Sequence, residues 1–331
     1  MQKHLYIFLL MIGLLFMTFF LDLFFQQHKN IITFQSYVVS QQKIPKELLK
    51  EYHHGEENIR QKAAKDIIKA TLKNLDYPQW LDYIDYISFM LYESNILPGD
   101  DLELIVVLNL SKDQSVIGIY RSVASEYIFS SKIENALPIE KLDFIAAPDL
   151  GYNFIISHQI IDERLGGFFI ERFVKIYLYS GETWKELWKM IKYSEEIYKL
   201  QWQDPKAPEN QWIKITENNL IQFHQDPRLH ISVEINRKKF TTYKETIPYP
   251  NEFKLTDTTR FKEDFYWNPQ YGQFILKEGL RKSSGEPVAI LEDTQHAIET
   301  FMGFSLNNYK IISTEGKIEY IPKDRILLQA P

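Results

Sequence analysis

The hydrophobic residues of this chain follow three patterns in turn. Residues 5–25 are almost continuously apolar, and no charged side chain occurs from Leu5 to Leu21. From Glu56 the apolar residues recur at helical spacing, with Lys, Arg and Glu between them. After Pro98-Gly99-Asp100-Asp101, short runs alternate between apolar and polar residues, as strands do. The patterns predict one long apolar helix, then a helical region, then a mainly β body.

The apolar segment 5–25 is long enough to cross a membrane. As a helix it extends about 30 Å, the thickness of a bilayer core. We interpret it as an uncleaved signal anchor in residues 1–25, with Asp22 near the far interface. A cleaved signal peptide is one alternative, since Val38-Val39-Ser40 offers small residues for a peptidase, although far downstream. A buried core helix is the other alternative.

The orientation of this segment rests on a weak charge bias. Lys3 and His4 precede it, whereas His28 and Lys29 follow it. We expect the N-terminus inside the cell, so that the protein is a single-pass cell-membrane protein with most of the chain extracytoplasmic.

Residues 26–55 are polar and mixed, and they predict a tether. A helical neck is expected over 56–97, whose first helix carries a stripe of Ile59, Ala63, Ile67 and Ile68 packed onto the β body. Tyr77-Pro78 should end that helix, because the residue before proline leaves the α region. The run "QWLDYIDYISFMLYES" then predicts a second helix, although its aromatic residues also suit a strand.

Residues 98–276 are expected to form the β body. Within them, "FVKIYLYSGETWKELWKMI" (173–191) predicts a hairpin over a Ser-Gly-Glu turn. Ile119, Ile176 and Val233 are spaced by about 57 residues, as are Ile133, Met190 and Ile247. The spacing favours repeated four-strand antiparallel units, propeller-like or sandwich-like; chance is the alternative in so hydrophobic a chain. Residues 277–331 predict a strand, a helix and a hairpin that cover this body.

Composition narrows the classes of function. A net charge of −6 disfavours nucleic-acid binding, which needs a basic surface. The chain has no cysteine, which excludes disulfides, thiolate nucleophiles and cysteine-ligated metals. No phosphate-binding, dinucleotide-binding, nucleophile-elbow or zinc-protease motif occurs, and no cofactor is predicted.

One sequence cluster carries groups suited to acid–base catalysis. His158, Asp162, Glu163 and Arg164 lie close together and are followed by Gly166-Gly167. Paired carboxylates beside a His and an Arg can move protons or bind a cation, and glycines permit close approach of a ligand. The alternative is a charged hairpin tip with solvated ion pairs, which is the common arrangement at turns.

Two further sets are candidates for binding. His224, Asp226 and His230 offer donors that metals prefer, although the Asp-Pro turn need not bring them together. Trp184 and Trp188 are predicted on one face of a strand, with Glu186 between them. Exposed, the two indoles would form a platform for a sugar ring or a partner, to which Arg164 could contribute; buried, they would fill a core.

These observations favour a fold that is mainly β (α+β overall) and a non-catalytic binding or assembly module for an envelope component, either a glycan or a partner protein. The alternative is a glycan hydrolase of the envelope, with Asp162 or Glu163 as one of two scattered carboxylates. A deep pocket with paired carboxylates would favour the enzyme, and a flat face near residues 158–167 would favour the binding module.

Overall fold

The computed structural model describes residues 42–148, 150–164, 168–226 and 228–329. The predicted signal anchor and the first part of the predicted tether lie outside these ranges, as do Gly166 and Gly167. Within the described ranges, no helix has the length and apolar character needed to cross a membrane.

The described chain is mostly strand, which confirms the expected mainly β character. Its helices are α1 (Lys46–His54), α2 (Glu57–Asn74) and α3 (Ile298–Met302). The strands are β1 (Ile44–Pro45), β2 (Ser88–Ser94), β3 (Glu103–Asn109), β4 (Ser115–Val123), β5 (Glu126–Ala136), β6 (Ile139–Ala146), β7 (Asn153–Asp162), β8 (Phe169–Tyr179), β9 (Trp184–Lys199), β10 (Gln211–Asn218), β11 (Leu220–His224), β12 (His230–Tyr243), β13 (Lys254–Asn268), β14 (Gln273–Ile275), β15 (Lys277–Arg281), β16 (Pro287–Asp293), β17 (Asn308–Ser313), β18 (Ile318–Pro322) and β19 (Ile326–Leu328).

The chain divides into two compact units, and β4 and β5 contribute residues to both. Within the described ranges, the first unit contains residues 42–86 and 118–130, and the second contains 87–117 and residues from 131 to 329. In the first unit, β1 pairs antiparallel with the beginning of β5, with Ile44 opposite Tyr127. In the second unit, β2 pairs antiparallel with β3.

Helix α2 buries the predicted stripe over most of its length. Ala63, Ile67 and Ile68 are buried, but Ile59 in the first turn is 41% exposed. Near its C-terminus the helix packs on β4, where the Tyr120 hydroxyl donates to Thr71 Oγ1 at 3.0 Å. A side chain at Gly118 would meet the Thr71 methyl group at 3.0 Å, so glycine permits this close packing.

The end of α2 follows from backbone hydrogen bonding. The Tyr77 N–H donates to Leu72 O at 2.8 Å and the Asp76 N–H to Lys73 O at 3.2 Å, which satisfies carbonyls of the last turn. Asp76 between them has a φ of +63°, a left-handed conformation that Asp tolerates better than most residues. The helix therefore ends before Pro78, as predicted.

The predicted second helix of the neck is not formed. Residues Pro78–Tyr86 form 3-10 turns with a kink at Tyr83, and Ser88–Ser94 form β2. Aromatic and β-favouring residues in this run gain backbone pairing with β3, where Leu91 lies opposite Val106. Pairing with β3 therefore makes Ser88–Ser94 a strand, despite the helical spacing of its apolar residues.

Strands β6 to β14 form one nine-stranded sheet in the second unit. Its order is β14-β13-β12-β10-β9-β8-β7-β6, and β11 pairs with β12 beside β10. Every neighbouring pair is antiparallel. The predicted hairpin is present as β8 and β9, with Val174 and Ile176 buried on one face.

The order of strands in this sheet disagrees with the predicted repeat of four-strand units. Ile119, Ile176 and Val233 are all buried and all lie in strands. However, Ile247, which should match Ile133 and Met190, is 56% exposed and lies outside the strands named above. Long antiparallel strands such as β9 pair with neighbours on both sides, so hydrogen bonding continues where a boundary between units was expected.

The C-terminal residues form a second sheet with a short helix. Its order is β18-β17-β16-β15-β19. A strand, a helix and a hairpin occur here as the sequence predicts, with Gly316 in the β17–β18 turn at a φ of +82°. Ile298, Phe301 and Met302 of α3 pack against Tyr198, Ile213 and Ile215 of the nine-stranded sheet.

The main core lies on one face of the nine-stranded sheet. Its centre contains Ile176 from β8, Ile231, Val233 and Ile235 from β12, and Phe265 from β13. Alternation along β12 places every second side chain on this face, which we call the core face. The C-terminal segment that carries α3 lies over the same face. The β10–β12 register places Ile213 and Ile215 on the core face, and α3 packs against these two residues.

We expect Ile67→Asp to destabilise the full chain far more than Ile59→Asp. The Ile67 side chain is wholly buried, so an aspartate there loses its apolar contacts and leaves an unpaired buried charge, at a cost of at least about 3 kcal/mol. Ile59 stands in the same helix but is exposed. Urea unfolding of both variants tests this expectation, and equal midpoints would show that α2 is not packed.

Candidate functional site

The cluster at the end of β7 consists of separate ion pairs. Arg164 donates to Asp162 from Nε at 2.8 Å and from Nη2 at 2.5 Å. Glu163 instead accepts from Lys112 Nζ at 2.8 Å. The Arg164 hydrogen bonds lower the pKa of Asp162 to about 2, so this carboxylate is ionised at neutral pH. Asp162 therefore does not have the properties of a general acid.

His158 lies on β7 but has a different partner. Its Nε2 lies 2.8 Å from Asp143 Oδ2 on the neighbouring strand β6. Its Nδ1 is buried and has no hydrogen-bond partner among the described residues. Burial, and next the charge of Lys141, lower the pKa of the ring, so His158 is neutral at neutral pH. The sequence cluster thus contains a partly buried His paired with Asp143 and two exposed ion pairs.

The predicted metal-binding set contains one close pair. His224 and His230 lie opposite each other on β11 and β12, and their rings stack with centroids 4.4 Å apart. Stacked parallel rings direct their nitrogens alongside each other, not toward one point between them. In the described part of the chain, no group of three or more His, Cys, Asp and Glu side chains is placed to hold a metal ion, and Asp226 joins no such group.

The predicted tryptophan platform is not formed, because a β-bulge separates the two indoles. In the β8–β9 register Tyr177 lies opposite Glu186 but Ile176 lies opposite Trp188, so Leu187 is an extra residue. The extra residue reverses the alternation of β9. Trp184 therefore lies on the face of Tyr177, whereas Trp188 lies on the core face.

The two indoles accordingly have different surroundings. Trp184 is half-buried, contacts the Tyr179 ring at a tilted angle and donates from Nε1 to Ser131 Oγ at 3.1 Å. Trp188 is 6% exposed and contacts Phe265 edge to face, with ring centroids 5.6 Å apart. The Trp188 Nε1–H is buried and has no hydrogen-bond partner among the described residues.

Trp188 lines a cavity of about 430 Å³, which is our candidate site. The cavity lies between the core face of the nine-stranded sheet and the C-terminal segment that carries β16, β17 and α3. Its wall is partly apolar. The apolar wall includes Trp188, Ile235, Phe265, Phe274, Leu291 and Ile298.

A buried ion pair forms part of the cavity wall. Glu217 on β10 lies directly opposite Arg237 on β12, and Arg237 Nε donates to Glu217 Oε2 at 2.6 Å. Both side chains are almost completely buried. Arg237 Nη1 also donates to the His296 carbonyl at 2.6 Å, and Asn219 Nδ2 donates to Glu217 Oε1 at 2.5 Å. These bonds compensate two charges that have lost their hydration.

Glu263 and His296 form a second pair at the cavity. Glu263 is on β13, and His296 belongs to the 3-10 turn Thr294–His296; Oε1 and Nδ1 are 2.7 Å apart. Burial raises the pKa of Glu263, and the hydrogen bond to His296 opposes that rise. Glu263 is therefore a carboxyl group whose proton affinity is above the ordinary range.

Three further carboxylates face the cavity from the C-terminal segment: Glu292, Asp293 and Glu299. Asp293 forms an ion pair with Lys323. Burial raises the pKa of Glu292, and the nearby charges of Glu299 and Asp293 raise it further, although the charge of Lys310 opposes them. This side of the cavity therefore concentrates negative charge.

The sequence matches no protein-family model and no curated protein. The cavity residues must therefore be interpreted from their own geometry.

Sequence reasoning missed Glu217, Arg237 and Glu263, yet a signal for them exists. Each lies in a strand whose alternate residues are apolar and face inward, at a position where the same alternation calls for another apolar residue. Arg237 follows Ile231, Val233 and Ile235, Glu217 follows Ile213 and Ile215, and Glu263 stands between Phe261 and Phe265. A charged residue on the inward side of a strand needs a partner, which marks these positions as unusual. Which strands supply the partners is decided by the sheet order.

We expect Glu292→Gln to change how stability depends on pH. The pKa of Glu292 in the folded chain is above its ordinary value of 4.5, so the wild-type chain loses stability as pH rises through the folded pKa. The amide does not ionise. The stability of the variant relative to the wild type should therefore increase as pH rises from about 4.5 toward neutral pH. Thermal unfolding of both proteins across this range measures it, and parallel curves would contradict the assignment.

Proposed function

We propose that this protein is a membrane-tethered binding module with its β-rich part outside the cytoplasm. The uncharged apolar run Leu5–Leu21 supports the anchor, and the acidic net charge disfavours a nucleic-acid partner. The ligand in this proposal is a component of the cell envelope, either a glycan or a partner protein, that presents a small polar group.

The cavity is the observation that carries the proposal. Small-molecule sites are typically clefts of about 300–1,000 Å³ with apolar walls and a few fixed polar groups. The cavity beside Trp188 has about 430 Å³ and combines aromatic walls with the Glu217–Arg237 and Glu263–His296 pairs. Paired side chains hold their orientation without a ligand, so a ligand would meet a preformed site.

A hydrolase of envelope glycan is the second candidate, and one observation favours it. Glycosidases need one carboxyl group that keeps its proton at neutral pH and a second that is ionised. Burial raises the pKa of both Glu263 and Glu292 at the same cavity. Asp162 is a poor candidate for the acid because its pKa is about 2.

The location is tested with a reporter enzyme that is active only outside the cytoplasm. Fused after residue 60, it should be active and should be recovered in the membrane fraction, because residues 5–25 would anchor the fusion. The control is the same fusion without residues 5–25, which should be inactive. A soluble, inactive product from the complete fusion would contradict the membrane location.

Binding at the cavity is tested with the full chain in detergent and a cavity-filling substitution. Ala297 lines the cavity, so Ala297→Phe should occupy part of it and abolish the stabilisation that bound small polar molecules confer. Ala207→Phe is the matched control, since Ala207 is equally half-buried but lies in a loop away from the cavity.

Melting temperatures with a panel of amines, sugars and carboxylic acids provide the measurement. Ligands recovered chemically unchanged would separate binding from hydrolysis. If no compound distinguishes Ala297→Phe from Ala207→Phe, the cavity is not the binding site.

A further inference from the structure

We infer that the cavity binds a protonated amine, either a small molecule or an amino group presented by a larger partner. The inference rests on the proposed function of the cavity as a binding site and adds the chemical class of the ligand. It follows from the balance of charges around the cavity, from the partners that those charges already have, and from its aromatic wall.

The cavity is lined by more carboxylates than cations. Its cationic side chains are Lys189, Arg237 and Lys310, together with His296, whose charge depends on protonation. The carboxylates are Glu186, Glu217, Glu263, Glu292, Asp293 and Glu299. The excess is therefore negative even if His296 is protonated.

Most of these carboxylates already have an ionic or hydrogen-bonded partner. Glu186 pairs with Lys175 at 2.7 Å, and Asp293 pairs with Lys323. Glu217 and Glu263 have the partners described above. Among the cations, Lys189 is 3.7 Å from Glu171, outside the set that lines the cavity. Most charged side chains that line the cavity thus already have a partner, apart from a few groups on the C-terminal side.

Glu292 and Glu299 are the exceptions on the acidic side. Neither forms an ion pair or a side-chain hydrogen bond with another described residue. Glu292 is half-buried, and Glu299 and Asp293 repel its charge. Lys310 lies opposite Glu292 on β17 and attracts it, but its ammonium forms no ion pair there. One cation beside Glu292 and Glu299 would relieve this repulsion.

The aromatic wall suits the same ligand. Trp188, Phe265 and Phe274 line the cavity, and aromatic rings are favourable neighbours for a cation and for the methylene groups beside it. An anionic ligand would meet the repulsion of the carboxylate excess. A neutral polyol would leave the repulsion between Glu292 and Glu299 in place. An amine satisfies both the carboxylates and the aromatic wall.

Three four-carbon probes that differ in charge test the inference: putrescine, butanediol and succinate. Calorimetric titration of the full chain at low salt should show putrescine binding at least about tenfold more tightly than either of the others. Glu292→Gln should weaken putrescine binding by at least about fivefold, because the ammonium group of putrescine loses one of its two carboxylate partners. Glu315→Gln is the matched control. Glu315 is an exposed residue on the β17–β18 turn that does not line the cavity, and its substitution changes the net charge by the same amount.

Each alternative result overturns the inference. Butanediol or succinate binding as tightly as putrescine would show a different ligand class, and the proposed binding function would survive if Ala297→Phe abolished that binding. Equal effects of Glu292→Gln and Glu315→Gln would show nonspecific attraction to the acidic surface. Absence of putrescine binding would reject the amine, whereas failure of every ligand in the Ala297→Phe comparison would reject the binding function itself.

Discussion

The ion pair between Glu217 and Arg237 is the interaction on which the arrangement of the second unit depends. Two charges placed on the inward side of adjacent strands lose their hydration, and this loss is offset only if every donor and acceptor finds a partner. Arg237 therefore also binds the His296 carbonyl, which fixes the C-terminal segment against the sheet. Removing one partner of such a pair typically costs about 3–5 kcal/mol, because the other is left buried and charged.

The same network extends to an irregularity of β9. Asn219, which donates to Glu217, also donates from Nδ2 to Ile191 O at 2.9 Å, and its backbone N–H donates to Lys192 O at 2.9 Å. Lys192 is an extra residue in the β8–β9 register, so its carbonyl cannot be satisfied by regular pairing there. Asn219 thus connects a buried charge to the backbone of a bulge.

The cavity results from two features that oppose close packing. Charged side chains on the core face need hydrogen-bonding partners and cannot interdigitate as methyl and methylene groups do. The C-terminal segment brings its own carboxylates to the same place, where their mutual repulsion opposes closer approach. In our proposal, this space is where a ligand of opposite charge binds.

The sequence by itself determined the class of the fold and several local elements. Helix α2 and its end before Pro78, the β8–β9 hairpin and the C-terminal strand, helix and hairpin were all predictable, because spacing and turn residues act over a few positions. Strand β2, which stands where a second neck helix was predicted, was not predictable, because pairing with β3 decides the conformation of residues 88–94. Nor was the separation of Trp184 from Trp188, since a single extra residue at Leu187 is visible only against the opposite strand. The cavity was also beyond the sequence, because Glu217, Arg237, Glu263 and Glu292 come from four strands, and only the order and register of those strands bring their charges together.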